Sequence, residues 1–264
     1  MTMMRLLVVV SLLFTTACVS NTTVRSKSNY ENELKAKETI AILPSTAEVY
    51  TVGFSKKERM YDYEAGLEEL INSELLPLFK EKGYNVTNLR KSDIHKKGIS
   101  RKVVDLKESY NPKIINLYTP VLMKKELALN TNVKVDEKVS NDVKNATDAD
   151  VISVINYTGT VQTNGARALG FAMDVLVGSS TAAETSTLTV SLLDADTGEL
   201  LWSNLSSAAK DLLSSGLSNL STQEEVDKKN INRLGKYLLR SLPDRQYLGL
   251  TEEEIKQLKK TNKS

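Results

Sequence analysis

The stretch Thr187-Leu188-Thr189-Val190-Ser191-Leu192-Leu193-Asp194-Ala195-Asp196-Thr197-Gly198-Glu199-Leu200-Leu201-Trp202-Ser203 reads as two strands joined by a turn. Leu188, Val190 and Leu192 alternate with Thr187, Thr189 and Ser191. Successive side chains of a strand point to opposite faces, so the leucine and valine side chains share one face and the hydroxyls the other. Residues 194–198 form a turn signal in which Gly198 can take a left-handed backbone, and Glu199-Leu200-Leu201-Trp202-Ser203 returns as the antiparallel partner. Trp202 is expected to fill core space beside this hairpin and not to bind a ligand.

Working outward, Asp150-Val151-Ile152-Ser153-Val154-Ile155-Asn156-Tyr157 is a β-branched run bounded by Asp150 and Gly159, a further strand. Near the start of the domain, Thr39-Ile40-Ala41-Ile42-Leu43 is a short apolar strand stopped by Pro44. No long periodic element is read between Ser45 and Lys57. From Tyr61, Leu67, Leu70, Ile71, Leu75, Leu78 and Phe79 recur at spacings of three and four, with Glu64, Glu68, Glu69 and Glu74 on the other side. This predicts an amphipathic helix ended by Gly83, with a kink near Pro77. Tyr84-Asn85-Val86-Thr87 follows as a strand, completing a βαβ unit.

Residues 90–147 carry partial helical periodicity interrupted at Pro112 and Pro120, and predict two or three helices. Residues 165–178 are apolar nearly all round: Leu169, Ala172, Met173, Leu176 and Val177 share one helical face, and Phe171 and Val175 occupy the opposite one. Such a segment must be covered. A connection packed on the sheet and a subunit or membrane contact both satisfy that need, with Leu169, Phe171, Met173 and Leu176 as the candidate contact residues. A last helix carries Ile231, Leu234, Tyr237, Leu238 and Leu242 and stops at Pro243, and a charged tail follows.

The chain opens on Arg5, an apolar run over residues 6–14, and Thr15-Thr16-Ala17 before Cys18, the only cysteine. A positive end, a short apolar segment and small residues at the cut are the layout of a secretory signal. These four positions, residues 15–18, resemble the lipobox of bacterial lipoproteins, with Thr15 standing where that family usually carries Leu. The resemblance implies cleavage between Ala17 and Cys18 and a diacylglyceryl thioether on Cys18. A conventional signal peptide cut near Ala17, an uncleaved anchor and a buried amino-terminal helix are the alternatives. The apolar run is short of the roughly 20 residues of a spanning helix, and the polar residues 20–37 give a buried helix nothing to continue into. Val19, in place of the aspartate that favours inner-membrane retention in such lipoproteins, implies the outer membrane, its periplasmic face favoured over the cell surface.

The predicted organisation is therefore a signal peptide over residues 1–17, a lipidated flexible tether over 18–37, an α/β (α+β) domain with a small mixed sheet and packed helices over 38–250, and a charged tail over 251–264. At 264 residues and 41% hydrophobic, one core is within reach. The formal net charge of +2 gives no cause to expect a nucleic-acid partner. The order of elements resembles the small α/β domain shared by the amino-terminal domain of TolB, the penicillin-binding-protein activator LpoB and the curli-secretion lipoprotein CsgG, a group that includes meningococcal-type surface lipoproteins. Thr39 to Pro44, the helix from Tyr61 to Gly83 leading into Tyr84 to Thr87, Asp150 to Tyr157, and Leu188 to Trp202 with its Asp194-x-x-Thr197-Gly198 turn carry that likeness.

An active site has little to draw on. His95, the sole histidine, sits in a polar stretch, no metal-ligand spacing of His, Cys and carboxylate exists, and Gly159, Gly165 and Gly170 reproduce no phosphate-cradling motif. No catalytic residue, metal or cofactor is expected. The leading expectation is a noncatalytic accessory or assembly factor, tethered to the membrane by its lipid and binding another envelope protein. The alternative is an oligomeric secretion or ring component, a homo-oligomer, similar to the curli lipoprotein. An envelope hydrolase stands third.

Overall fold

The computed structural model describes residues 21–52, 57–122, 133–162, 185–209 and 220–261. In chain order the elements are β1 (Asn21–Ser26), α1 (Tyr30–Lys35), β2 (Thr39–Ile42), β3 (Thr46–Val52), β4 (Lys57–Arg59), α2 (Tyr61–Glu81), β5 (Asn85–Asn88), α3 (Lys91–Lys96), α4 (Ser100–Leu122), α5 (Glu137–Thr147), β6 (Val151–Gln162), β7 (Thr185–Asp194), β8 (Leu200–Ala209), α6 (Leu220–Leu239) and α7 (Glu252–Thr261). All eight strands join one open mixed sheet in the order β1-β8-β7-β6-β2-β5, with β3 and β4 off this path. β2 is parallel to both β5 and β6, and β3 also runs parallel to β6, which places β2 and β3 end to end along one neighbour.

Helices cover both faces. Ile40, Ile42, Val151, Ile155, Leu188, Val190 and Leu192 pack with Leu67, Ile71, Leu75 and Phe79 of α2 and Leu234 and Leu238 of α6. Ala41, Ile152, Val154 and Leu193 lie in the opposite core with Val103, Leu106, Tyr110, Ile114 and Leu117 of α4 and Val143 of α5. The hydroxyl face of β7 is therefore interior: Ser191 and Ser203 are fully buried, their Oγ atoms 2.7 Å apart, and the Tyr118 hydroxyl donates to Ser203 at 2.9 Å. Trp202 is fully buried, as its place on the return strand predicts. A register shift at Leu192/Leu193 leaves Leu201 as the extra residue, and the bulge turns Leu201 and Trp202 to the same core. On the α2–α6 contact, Gly235 permits the close approach, since a Cβ there would lie 2.6 Å from Leu75 Cδ2.

Three expectations are corrected. α4 runs unbroken through Pro112 and Pro120, because its buried apolar stripe outweighs the roughly 3 kcal/mol local penalty of an interior proline. The stretch after Pro44 is a strand, β3, and not an irregular connection. Third, the acidic side of α2 is solvated only in part: Glu69 is exposed, but Glu64 is 5% exposed and Glu74 9%. Glu64 accepts from the Val49 N–H at 2.8 Å, Glu68 from Ala47 at 3.2 Å and Asn72 from Ser45 at 3.0 Å. Four residues of helix rise about 6 Å and two residues of strand advance about 6.7 Å, so every fourth side chain of α2 meets every second N–H of β3. The helix thereby supplies acceptors to an edge that β4 pairs only from Tyr50 to Val52.

The same junction holds Lys107, whose ammonium donates to the Pro44 carbonyl and, at 3.0 Å, to Thr46 Oγ1. Burial lowers its pKa to about 8, against the opposing pull of the Glu68 carboxylate. Asn72 closes the junction, donating to the Leu43 carbonyl at 3.2 Å and to Asn88 Oδ1 at 3.0 Å.

Replacing Glu64 by Leu orphans the buried Val49 N–H and is expected to lower unfolding free energy by about 1–3 kcal/mol. Glu64→Gln keeps an acceptor and loses less. Urea unfolding of both variants checks the ladder, and equal losses for Leu and Gln would count against it.

Candidate functional site at the amino-terminal segment

Residues 18–37 read as a flexible tether from their polar composition, but from Asn21 onward the chain is built into the fold. β1 pairs antiparallel with β8 over six residues, from Asn21↔Ser207 to Ser26↔Trp202. Ladder bonds come from the backbone and need no apolar side chain, which is why composition alone misses such a strand. Leu34 of α1, 1% exposed, then enters the core, with Val24 and Tyr30 packed against it.

The carboxyl end of this segment is clasped to the β7–β8 turn. Lys27 Nζ lies 2.7 Å from Glu199 and 2.8 Å from Glu33, and its N–H donates to the Leu201 carbonyl at 3.0 Å. Lys37 Nζ lies 3.0 Å from both Asp194 and Asp196, and Lys144 also pairs with Asp196. Arg245 donates to the Lys37 carbonyl. Asp194 turns the hairpin with its other oxygen, accepting from the N–H groups of Asp196 at 2.8 Å and Thr197 at 2.9 Å. Gly198 has φ +71°, and a Cβ there would also lie 2.9 Å from the Val135 carbonyl oxygen. Asp150 Oδ2 receives the N–H groups of Glu38 at 2.9 Å and Thr39 at 3.0 Å and the Thr39 hydroxyl at 3.1 Å.

The electrostatics follow from these contacts. Hydrogen bonds donated to Glu199 and then to Glu33 raise the Lys27 pKa above the usual lysine value. Burial pulls Lys37 down, but Asp194 and Asp196 together raise it. Lys144 and Lys37 hold Asp196 below the usual carboxylate value. Burial alone would raise Asp150, yet its N–H donors, Glu38 and then Thr39, lower it. Exposed pairs such as Lys27–Glu199 are worth about 0–1 kcal/mol. The weight of the clasp therefore rests on Asp194, whose side chain is 8% exposed, and on the amides that Asp150 receives.

Ala17 and Cys18 lie outside the described residues, as do Leu169, Phe171, Met173 and Leu176. Their attachment points are described. Asn21 pairs with Ser207, Thr185 with Ala209 and Gly159 with Ser186, so the chain from Cys18 and the connection between Gln162 and Thr185 join the same end of the sheet. The clasp is at the other end. His95 is exposed on α3. Among the described residues no three His, Cys, Asp or Glu side chains are grouped to hold a metal ion, and no helix is long and apolar enough to cross a membrane. Lys37, Asp150 and Asp194 are not marked by the sequence as a unit; only the Asp194-x-x-Thr197-Gly198 turn hints at one of them.

Asp150→Ala is expected to lower unfolding free energy at neutral pH by about 1.5 kcal/mol, the worth of hydrogen bonds to a charged acceptor. The folded pKa of Asp150 is depressed, so its contribution is complete above the unfolded value near 3.9 and is lost as pH falls through the folded value. Denaturant titrations at several pH values should show the wild type and the variant converging in acid. A difference that persists unchanged below that range would remove the ionised carboxylate from the explanation.

No family model matches the chain, and no curated protein sequence matches it. Solved structures with a similar arrangement include the PelC dodecamer from Paraburkholderia phytofirmans, 12% identical, covering 81% of this chain and 98% of that one at a TM-score of 0.30. Lipoprotein GNA1162 from Neisseria meningitidis is 14% identical over 74% of this chain and 95% of its own, at a TM-score of 0.29. The LpoB C-terminal domain from Salmonella enterica is 10% identical over 69% of this chain and 93% of its own, at 0.24. The dodecamer and the lipoprotein character named for those proteins are theirs.

Proposed function

We propose that this chain is a noncatalytic envelope lipoprotein, acylated at Cys18 and held at the periplasmic face of the outer membrane, where its α/β domain acts as an accessory or assembly factor through contacts with another envelope protein. The observation that carries this reading is the sole cysteine standing after a basic, apolar and small-residue run and only three residues before the first strand. A single acyl chain binds membranes marginally and stable anchoring needs more than one, which the diacylglyceryl group of a lipobox cysteine supplies. The fold then has the form of a presented binding body: a doubly covered sheet in which α2 and the clasp hold β3, the turn and the amino-terminal segment by polar contacts.

Assembly of several copies is the second reading. It is favoured by the sheet being open at both ends of its order, since β1 and β5 each have one strand neighbour among the described residues. An unpaired edge is a template for another chain, and the mass of the detergent-extracted protein separates this reading from a monomeric factor.

Cys18→Ser is expected to shift the protein from the membrane to the soluble fraction and to abolish incorporation of labelled fatty acid. Membrane association that survives the substitution would sink the anchor.

A further inference from the structure

One rung of register partners crosses most of the sheet: Glu48 of β3 faces Thr158 of β6, which faces Thr187 of β7, then Ser207 of β8, then Asn21 of β1. Cys18 precedes Asn21 by three residues, a span of at most about 11 Å. From the same rung β3 continues four residues further, to Val52, which at about 3.3 Å per residue carries it some 13 Å outward. β4 turns back there, with Lys57 opposite Val52 and Arg59 opposite Tyr50. The reach of the strands beyond the rung thus equals or exceeds the reach of the chain that ties the rung to the lipid.

The surface at this end carries an aromatic group in the open. Tyr61, at the start of α2, is 68% exposed, the largest exposure among the large apolar and aromatic side chains described, and the Arg59 guanidinium lies 5.0 Å from its ring centre. Lys57 Nζ stands 3.9 Å from the centre of the Tyr50 ring. Arg59 is spoken for by Glu64 at 2.9 Å and Glu48 at 4.0 Å, and Glu58 and Asp62 stand exposed beside Lys57. Lys57 and Arg59 stand against the carboxylates of Glu48, Glu58, Asp62 and Glu64, so attraction to anionic lipid is not the basis of the contact. Tyrosine with its apolar body and polar tip is suited to the headgroup level of a bilayer.

We infer that the β3–β4 end of the sheet, with Tyr61 beside it, rests on the bilayer interface, and that the clasp end faces away from the membrane. This orientation rests on the reading of Cys18 as the acylated residue. From the Asn21 rung to the clasp, β7 runs from Thr187 to Asp194, about 24 Å at strand spacing. The clasp and α1 are therefore the part of the molecule offered to a partner in the aqueous space.

Acylation consumes the one native thiol, so a cysteine introduced elsewhere is the sole site for a nitroxide label. Glu58→Cys on β4 and Ala36→Cys after α1 are both at exposed positions that leave Tyr61 and the clasp side chains in place. The full acylated chain is reconstituted in phosphatidylcholine vesicles, and collision of each label with a lipid-soluble relaxant, dioxygen, and a water-soluble nickel chelate is measured. At position 58 the label is expected to lose nickel accessibility and gain oxygen accessibility relative to the soluble Cys18→Ser form, with the label at position 36 unchanged. Addition of anionic lipid should strengthen neither result. A label at 58 as wet as the one at 36, or the reverse order, overturns the orientation while leaving the anchor intact. A chain that fails to co-sediment with the vesicles overturns the anchor reading and the orientation together.

Discussion

The N–H groups of Ser45, Ala47 and Val49 have to find acceptors, and the fold is arranged around the way they do. β2 ends at Ile42 and β3 starts at Thr46, both along the same parallel neighbour β6. The β2 portion finds a second neighbour in β5, while the inner half of β3 has none. A sheet edge buried beneath a helix without acceptors would lose about 1–3 kcal/mol for each orphaned group. α2 resolves this with Glu64, Glu68 and Asn72, and in doing so fixes its own rotation about the helix axis. Once α2 is set in that phase, Leu67, Ile71, Leu75 and Leu78 can only face the sheet and α6. The contact between backbone and carboxylate thus determines where the apolar stripe goes, as well as being shielded by it.

This dependence explains which parts of the fold were legible. The hairpin around Asp194 was readable because alternation, turn and partner strand are all local, and Trp202 took the core place its position implied. The helix from Tyr61 and the strand at Val86 were readable for the same reason. β3 was not, since its stability is supplied by side chains that lie 15 to 27 residues further on and look, in sequence, like a solvated helix face. β1 was hidden by composition: Asn21-Thr22-Thr23-Val24-Arg25-Ser26 has one apolar residue, and what holds it is the exposed ladder of β8. The prolines hide the continuity of α4 because periodic burial against the sheet is a tertiary effect that local propensity does not include.

The amino-terminal segment and its clasp divide in the same way. Cys18 stands out because the resemblance it carries lies in a contiguous run of residues. The clasp does not, because Lys37 and Asp196 are 159 residues apart and Thr39 and Asp150 are 111 apart. Single lysines and aspartates at such separations carry no pattern. Only the fold brings them within 3 Å, and it does so at the turn whose Asp194 is already committed to two backbone N–H groups.

The geometry of entry gives the clasp a mechanical meaning. A chain that arrives at Asn21 and runs along β8 is pulled along the strand axis when its amino end is held. All six register pairs then share the load in shear, whereas a strand pulled sideways would surrender its bonds one at a time. The load passes next to Lys27, fixed by its backbone to Leu201 and by its ammonium to Glu199, and then through α1 to Lys37 and Thr39. From Thr39 it enters β2, a strand bonded on both sides. The amino-terminal segment is therefore joined to the sheet at its edge, at its turn and at its centre in succession, and a domain held in this manner keeps a defined attitude toward whatever holds it.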